Sequence, residues 1–177
     1  MDADINLIER YLTGDEAALD EILIKYQKQI YALIYRMTKD IEDAKDLTQK
    51  TFIKALKGIK GFKKKSSFKT WLYQIAINTS INHLRQNKHK ITELEESLAE
   101  DNKGALTTII EDEKRGLIKK AMDKLPERQR LAIVLRVYEE LSCSETAKAM
   151  GCSEGAVKAH YHNAVKKLRE ILKGEGL

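Results

Sequence analysis

The sequence predicts an all-α protein: two small helical domains joined by a flexible acidic linker. Three observations carry this expectation. One proline and nine glycines among 177 residues leave few helix breakers in a chain rich in Leu, Ile, Ala, Lys and Glu. Apolar residues recur at three- and four-residue spacing, and no segment alternates apolar and polar residues between hairpin turns. Between two such periodic regions, residues 89–113 carry eight acidic residues against two lysines and no aromatic.

The elements are taken in chain order. A first helix spans about Asp4 to Thr13, with Gly14 as its C-terminal cap. Asp15 caps a long helix to about Met37, whose buried stripe is Leu19, Ile22, Leu23, Tyr26, Ile30, Leu33, Ile34 and Met37. Asp40 opens the next, with Ala44, Leu47, Phe52, Ala55, Leu56 and Ile59 inward, and Gly58 and Gly61 end it. After a Lys-Lys-Lys-Ser-Ser loop, Ser66 or Ser67 caps a helix from Phe68 to about Asn87 that turns Phe68, Leu72, Ile75, Ala76 and Thr79 inward. The segment 89–113 reads as linker; the competing reading is a poorly patterned helix packed on a domain. From Lys114, Leu117, Ile118, Ala121, Met122 and Leu125 form a stripe. Pro126 sits in the first turn of the next helix, and Leu131, Val134, Leu135 and Tyr138 continue the core. Two helices with a tight turn between them, Ser144 to Met150 and Glu154 to Leu172, complete the chain. The expected units are therefore 1–88, 89–113 and 114–177.

Charge is distributed unevenly. The net charge is only +5, yet Leu47 to Thr92 holds eleven Lys and Arg and no acid, where the chain's average would give about seven acids. A local positive field on a near-balanced chain favours a polyanionic partner. Phe62, Phe68, Trp71 and Tyr73 lie in the same window, and rings among basic residues suit stacking of unpaired bases. On the helix of this window Asn78, Asn82 and Arg85 share a face, with Lys69 and Tyr73 near its start. Lys63, Lys64, Lys65, Ser66, Ser67 and Phe68 form its mouth. A solvated helix face beside a lysine-rich loop is the plainer alternative.

The run Ser142 to Lys158 reads as a helix-turn-helix. Ala147 permits close helix crossing, Gly151 supplies the left-handed turn, Ser153 caps the second helix and Val157 returns to the core. That second helix then presents Glu154, Lys158, His160, Tyr161, His162 and Lys166 to a major groove. A plain helical hairpin with solvated lysines is the competing reading.

Other classes find less support. No apolar run approaches the ~20 residues that span a bilayer. The acidic start Met-Asp-Ala-Asp-Ile is no secretory signal, which predicts residence in the cytoplasm. Cys143 and Cys152 are too few for structural zinc, and a reducing compartment disfavours their disulfide. No metal or other cofactor is expected. An enzyme would need clustered carboxylates or a nucleophile with its base; Asp40, Glu42, Asp43 and Asp46 lie together only on an ordinary amphipathic helix.

Three blocks, from Asp43 to Ala55, from Phe68 to Arg85 and from Leu125 to Arg130, resemble bacterial RNA polymerase sigma factors of the extracytoplasmic-function group, in the sigma-70 family. The resemblance covers about residues 15–88 and 114–172. It implies a promoter-specificity subunit that works with core RNA polymerase, a sigma region 2-like first domain and a region 4-like second one. By the same resemblance, Asp43, Asp46, Leu47 and Gln49 dock on the polymerase clamp. The Lys63–Phe68 loop with Asn78, Asn82 and Arg85 opens the −10 element and holds the non-template strand. The first two helices of the second domain grip the polymerase flap, and Lys158 to Lys166 read the −35 element. One departure concerns the recognition helix, where the family often has arginines and this chain has Lys158, His160, His162 and Asn163. Lysine meets phosphate as a point charge and lacks the fork that pairs with guanine. An anti-sigma protein that covers both polymerase-facing surfaces is also implied. The rival reading is a free-standing helix-turn-helix regulator, for which no dimerisation segment is visible.

Overall fold

The computed structural model describes residues 3–92 and 109–174, and among these every regular element is a helix. Helices α1 (Ala3–Leu12), α2 (Glu16–Thr38), α3 (Ile41–Gly58) and α4 (Phe68–Thr92) build the first domain. Gly14, at φ +103°, reverses the chain after α1. Asp15 then accepts from the Ala17 amide at 3.1 Å, and Asp40 from that of Asp43 at 2.7 Å, so both acids cap helix starts. At the mouth of α4 the cap is Ser67, which accepts from the Thr70 amide at 3.2 Å.

The core of this domain is the α2 stripe, Ile22, Tyr26, Ile30, Leu33, Ile34 and Met37, against Ala44, Leu47 and Ala55 of α3 and Phe68, Leu72, Ala76 and Ile77 of α4. Three buried hydroxyls sit in the same seams. Thr48, Thr51 and Ser80 each donate to the carbonyl four residues back, at 2.6, 2.7 and 2.9 Å, which satisfies them without a partner from another helix.

Helices α5 (Ile109–Asp123), α6 (Glu127–Ile133), α7 (Cys143–Met150) and α8 (Glu154–Gly174) form the second domain. Ala121, Met122, Leu125, Leu131 to Leu135, Leu141, Ala147, Met150, Val157 and Ala164 are its core. Two expected core residues are exposed, Ile118 at 43% and Tyr138 at 50%, and Leu117 is half-buried. The cause at Tyr138 is a π-helical turn, Val134–Tyr138, in which the Glu139 amide donates to the Val134 carbonyl, five residues back, at 3.1 Å. The wider turn rotates the chain beyond it, and Leu141 takes the core place instead.

Boundaries shift at the centre of the chain. Helix α4 runs to Thr92 and α5 starts at Ile109, so both reach into the span read as linker, 89–113. The remainder of that span lies outside the described residues. The two domains touch: α7 packs on α4, and a groove of about 660 Å³ between α2 and the α5–α6 side of the second domain is lined by Tyr31, Tyr35, Arg36, Met122, Val134 and Tyr138 among others.

Candidate nucleic-acid interface

The basic loop is a surface feature. Lys63, Lys64 and Lys65 are exposed, and Ser66 and Ser67 are half-buried. Lys64 adopts a left-handed φ of +54° and pairs with Glu9 of α1 at 2.6 Å, which ties the loop to the first helix. The rings behind the loop pack on one another. Phe68 meets Tyr26 at 5.6 Å and Phe62 at 5.8 Å edge to face, and Trp71 lies 5.2 Å from Phe62 and 5.6 Å from Phe68. Phe68 is 1% exposed and Tyr73 fully buried, so in this arrangement neither offers a face to a base. Phe62 and Trp71 keep part of their surface in solvent. Asn78, Asn82 and Arg85 are all exposed along one face of α4, and Lys69 is half-buried at its start.

The second surface is α8. Ser142 and Glu145 form a capping box at the start of α7: the Glu145 amide donates to Ser142 Oγ at 3.2 Å, and the Ser142 amide to Glu145 Oε2 at 2.9 Å. Helix α7 therefore starts at Cys143, earlier than the Ser144 expected from sequence, although the spacing Ser142-x-x-Glu145 carried the signal. The Ser142 hydroxyl and amide hold the Glu145 carboxyl below its ordinary range. Gly151, at φ +61°, makes the turn, and Ser153 Oγ accepts from the Ala156 amide at 3.2 Å to start α8. Ser153, Glu154, Lys158, His162 and Lys166 are exposed, and the last four of these recur every four residues as one line. His160 and Tyr161 are half-buried, Tyr161 against the core.

The polymerase-facing set expected on α3 divides. Asp46 and Gln49 are exposed, and Asp46 pairs with Lys50 at 2.6 Å. Asp43 is half-buried and pairs with His83 Nε2 at 2.8 Å. Leu47 is 2% exposed; its side chain belongs to the core rather than to a surface. Beside Gln49 a groove of about 730 Å³ runs between α2 and α3, lined by Leu23, Tyr31, Phe52, Ile53 and Leu56. Ile53 and, on α2, Ile24 at 76% exposure are large apolar residues left in solvent, which sequence periodicity had not singled out.

Between the domains lies a polar cluster that sequence reasoning missed. Glu139 Oε1 is 3.2 Å from Arg36 Nη1, Tyr73 Oη donates to Glu139 Oε2 at 2.6 Å, and Lys69 Nζ donates to the Glu139 carbonyl at 3.2 Å. Burial, then the bond to Glu139, pushes the Tyr73 phenol far above its usual range. Arg36 also stacks over the Tyr138 ring at 4.7 Å. Lys148 of α7 donates to the Lys65 carbonyl at 3.1 Å, and Lys39 pairs with Asp123 at 2.8 Å. Among the described residues no His, Cys, Asp and Glu cluster could hold a metal, and no helix is long and apolar enough to cross a membrane. Cys143 and Cys152 are free thiols.

A four-helix unit with a basic mouth, followed by a helix-turn-helix unit, defines a two-domain helical DNA-binding protein. Comparison with known proteins places it more closely. Residues 22–90 match the model of sigma-70 region 2, and residues 115–168 that of sigma-70 region 4. The RNA polymerase sigma-H factor of Pseudomonas aeruginosa is 34% identical over 96% of this chain and 93% of its own length. The ECF RNA polymerase sigma-E factor of Escherichia coli is 32% identical over 89% of this chain and 88% of its own. A solved complex of the sigma factor RpoE with the anti-sigma factor NepR, from Bartonella quintana, superposes with a TM-score of 0.70 at 26% identity, over 88% of this chain and 96% of that one. CnrH in complex with the cytosolic domain of CnrY shares the fold, with a TM-score of 0.75 at 20% identity over 99% of this chain and 100% of that one. The chain belongs to the extracytoplasmic-function sigma factors of the sigma-70 family. It is an RNA polymerase sigma factor, a transcription initiation factor rather than an enzyme, and the free-standing regulator is not favoured.

Proposed function

We propose that the first domain, residues 1–88, opens the −10 element and holds the non-template strand, and that the second, residues 114–177, seats the −35 element as duplex. The observation that carries this reading is the acid-free basic window, whose loop, Lys63 to Lys65, is exposed at the mouth of α4, with Asn78, Asn82 and Arg85 exposed further along the same helix. Strand separation costs on the order of 1–2 kcal/mol per base step. A positive loop offsets this through phosphate contacts, and uncharged Asn side chains on the adjacent face suit hydrogen bonding to bases. The line Glu154, Lys158, His162 and Lys166 suits the major groove, with lysine and histidine contributing phosphate contacts.

The groove between α2 and α3, bounded by Gln49 and close to Asp46, is the docking face for the polymerase clamp in this reading. Exposed Ile53, which lines the groove, supports a protein partner there, and Ile24, next to the lining residue Leu23 on α2, is also exposed. Leu47 supports that face from beneath. An anti-sigma protein is the expected inhibitor, by analogy with the RpoE–NepR complex, and the cytoplasm is the expected compartment. Run-off transcription with purified core polymerase over a genomic DNA library tests the proposal. Initiation at a defined set of sites sharing −10 and −35 elements is expected; a holoenzyme that initiates nowhere overturns it.

A further inference from the structure

We propose that Arg36, Tyr73 and Lys69 form an anion-binding pocket for a phosphate of the melted strand, and that Glu139 occupies this pocket as an internal substitute while the domains are closed. The inference rests on the strand-holding role given to the first domain. Glu139 is at the end of the π-helical turn, and its side chain is 8% exposed although it belongs to the other domain. Its carboxylate meets the Arg36 guanidinium and the Tyr73 hydroxyl, two groups from different helices that converge on a single anion. A third donor, Lys69, reaches the backbone of the same residue. Two donors on one buried carboxylate is the arrangement a phosphate oxygen pair would also accept.

The pocket is continuous with the proposed strand path. Lys69 and Tyr73 lie within two turns of the Ser67 cap, and Lys148 of the second domain holds the Lys65 carbonyl of the basic loop itself. Closure therefore engages only the start of the strand-binding face, at the Lys65 carbonyl, Lys69 and Tyr73, and leaves Asn78, Asn82 and Arg85 exposed, while α8 packs on α5, α6 and α7. The energetics favour a latch that can open. Removing one partner of a buried ion pair is costly, because the other is orphaned; parting the domains returns both partners to water, and only the small net value of the pair is lost. A polyanion that binds only the open form shifts the balance further, and its apparent affinity is reduced by the fraction of chains that are closed.

The test uses the full chain and a fluorescein-labelled oligothymidylate at one fixed salt concentration, with small-angle scattering in parallel. Glu139→Gln keeps the shape and removes the charge; it should tighten strand binding about tenfold and enlarge the radius of gyration. Asp123→Lys, outside the pocket but within about one helical turn of Arg36 through its partner Lys39, sets a positive charge against Lys39 and should act in the same direction by about threefold. Adding Arg36→Ala to Glu139→Gln should remove the gain, since the phosphate then loses its main donor. Expansion without tighter binding overturns the pocket, and neither change overturns the latch. The triple variant Lys63→Ala, Lys64→Ala, Lys65→Ala separates the two ideas. If it weakens binding while Glu139→Gln neither expands the chain nor tightens binding, the latch is wrong and the strand-holding role of the loop stands; if it leaves binding unchanged, that role fails and the pocket with it.

Discussion

Ser142 and Glu145 show how much of this molecule is decided by single side chains. Each satisfies an amide of the other at the start of α7, and Ser142→Ala should cost the second domain ~1 kcal/mol, measurable by urea titration. The same bond sets a pH dependence. Glu145 is held below its ordinary value of 4.5 in the folded chain, so between those two values the unfolded chain binds more protons. The stabilisation is complete above about 4.5 and is lost as pH falls through the folded value. In Ser142→Ala this acid limb should flatten. Residues of this kind were legible in the sequence because their partners are neighbours: Asp15, Asp40, Gly14 and Gly151 each do locally what their type dictates. Glu139 and Arg36 were not, since their partners lie 103 residues apart and nothing near either one announces the pair. Tyr138 was misplaced for a related reason: periodicity continued a regular helix through a π turn that it cannot detect.

Among the elements, the end of α3 is suboptimal as it stands. Gly58 has φ −94°, open to any residue, and an added Cβ would rest 3.5 Å from Trp71 Cζ2, an ordinary contact. Gly58→Ala should therefore stabilise the first domain by ~0.4–1 kcal/mol, chiefly by restricting the unfolded chain, and thermal unfolding will register it. Substitutions in the basic loop and α8 should show in salt dependence rather than in heat. Replacing Lys63, Lys64 and Lys65 by Ala should slow open-complex formation and flatten its salt dependence, followed by stopped-flow fluorescence of labelled promoter. Lys158→Ala should weaken duplex binding across sequences and lower the logarithmic salt slope by about one. Periodicity located these elements to within a few residues except at the inner ends of α4 and α5. There the acidic composition signalled linker, while the helices continue to Thr92 and resume at Ile109.

At the scale of the whole molecule, two modest DNA-binding surfaces on one chain depend on their tether. Each binding event raises the local concentration of the other, a gain of roughly 10²–10⁴ in avidity that needs no additional contact. A protease site inserted between Thr92 and Ile109 and cut after folding should abolish most promoter-specific transcription while leaving far-ultraviolet ellipticity unchanged. The family and the division into two helical units were readable from motif order. How the units meet was not, because the contact joins residues whose individual patterns are ordinary surface ones.

The aromatic nest behind the loop has a practical corollary. Trp71 is the chain's sole indole, wedged between Phe62 and Phe68 and half open to solvent. Tryptophan emission, excited beyond the absorption of the tyrosines, consequently surveys the front half alone and is blind to the rear. Quenching or a spectral shift during promoter melting would report events at the loop in real time, with no dye attached.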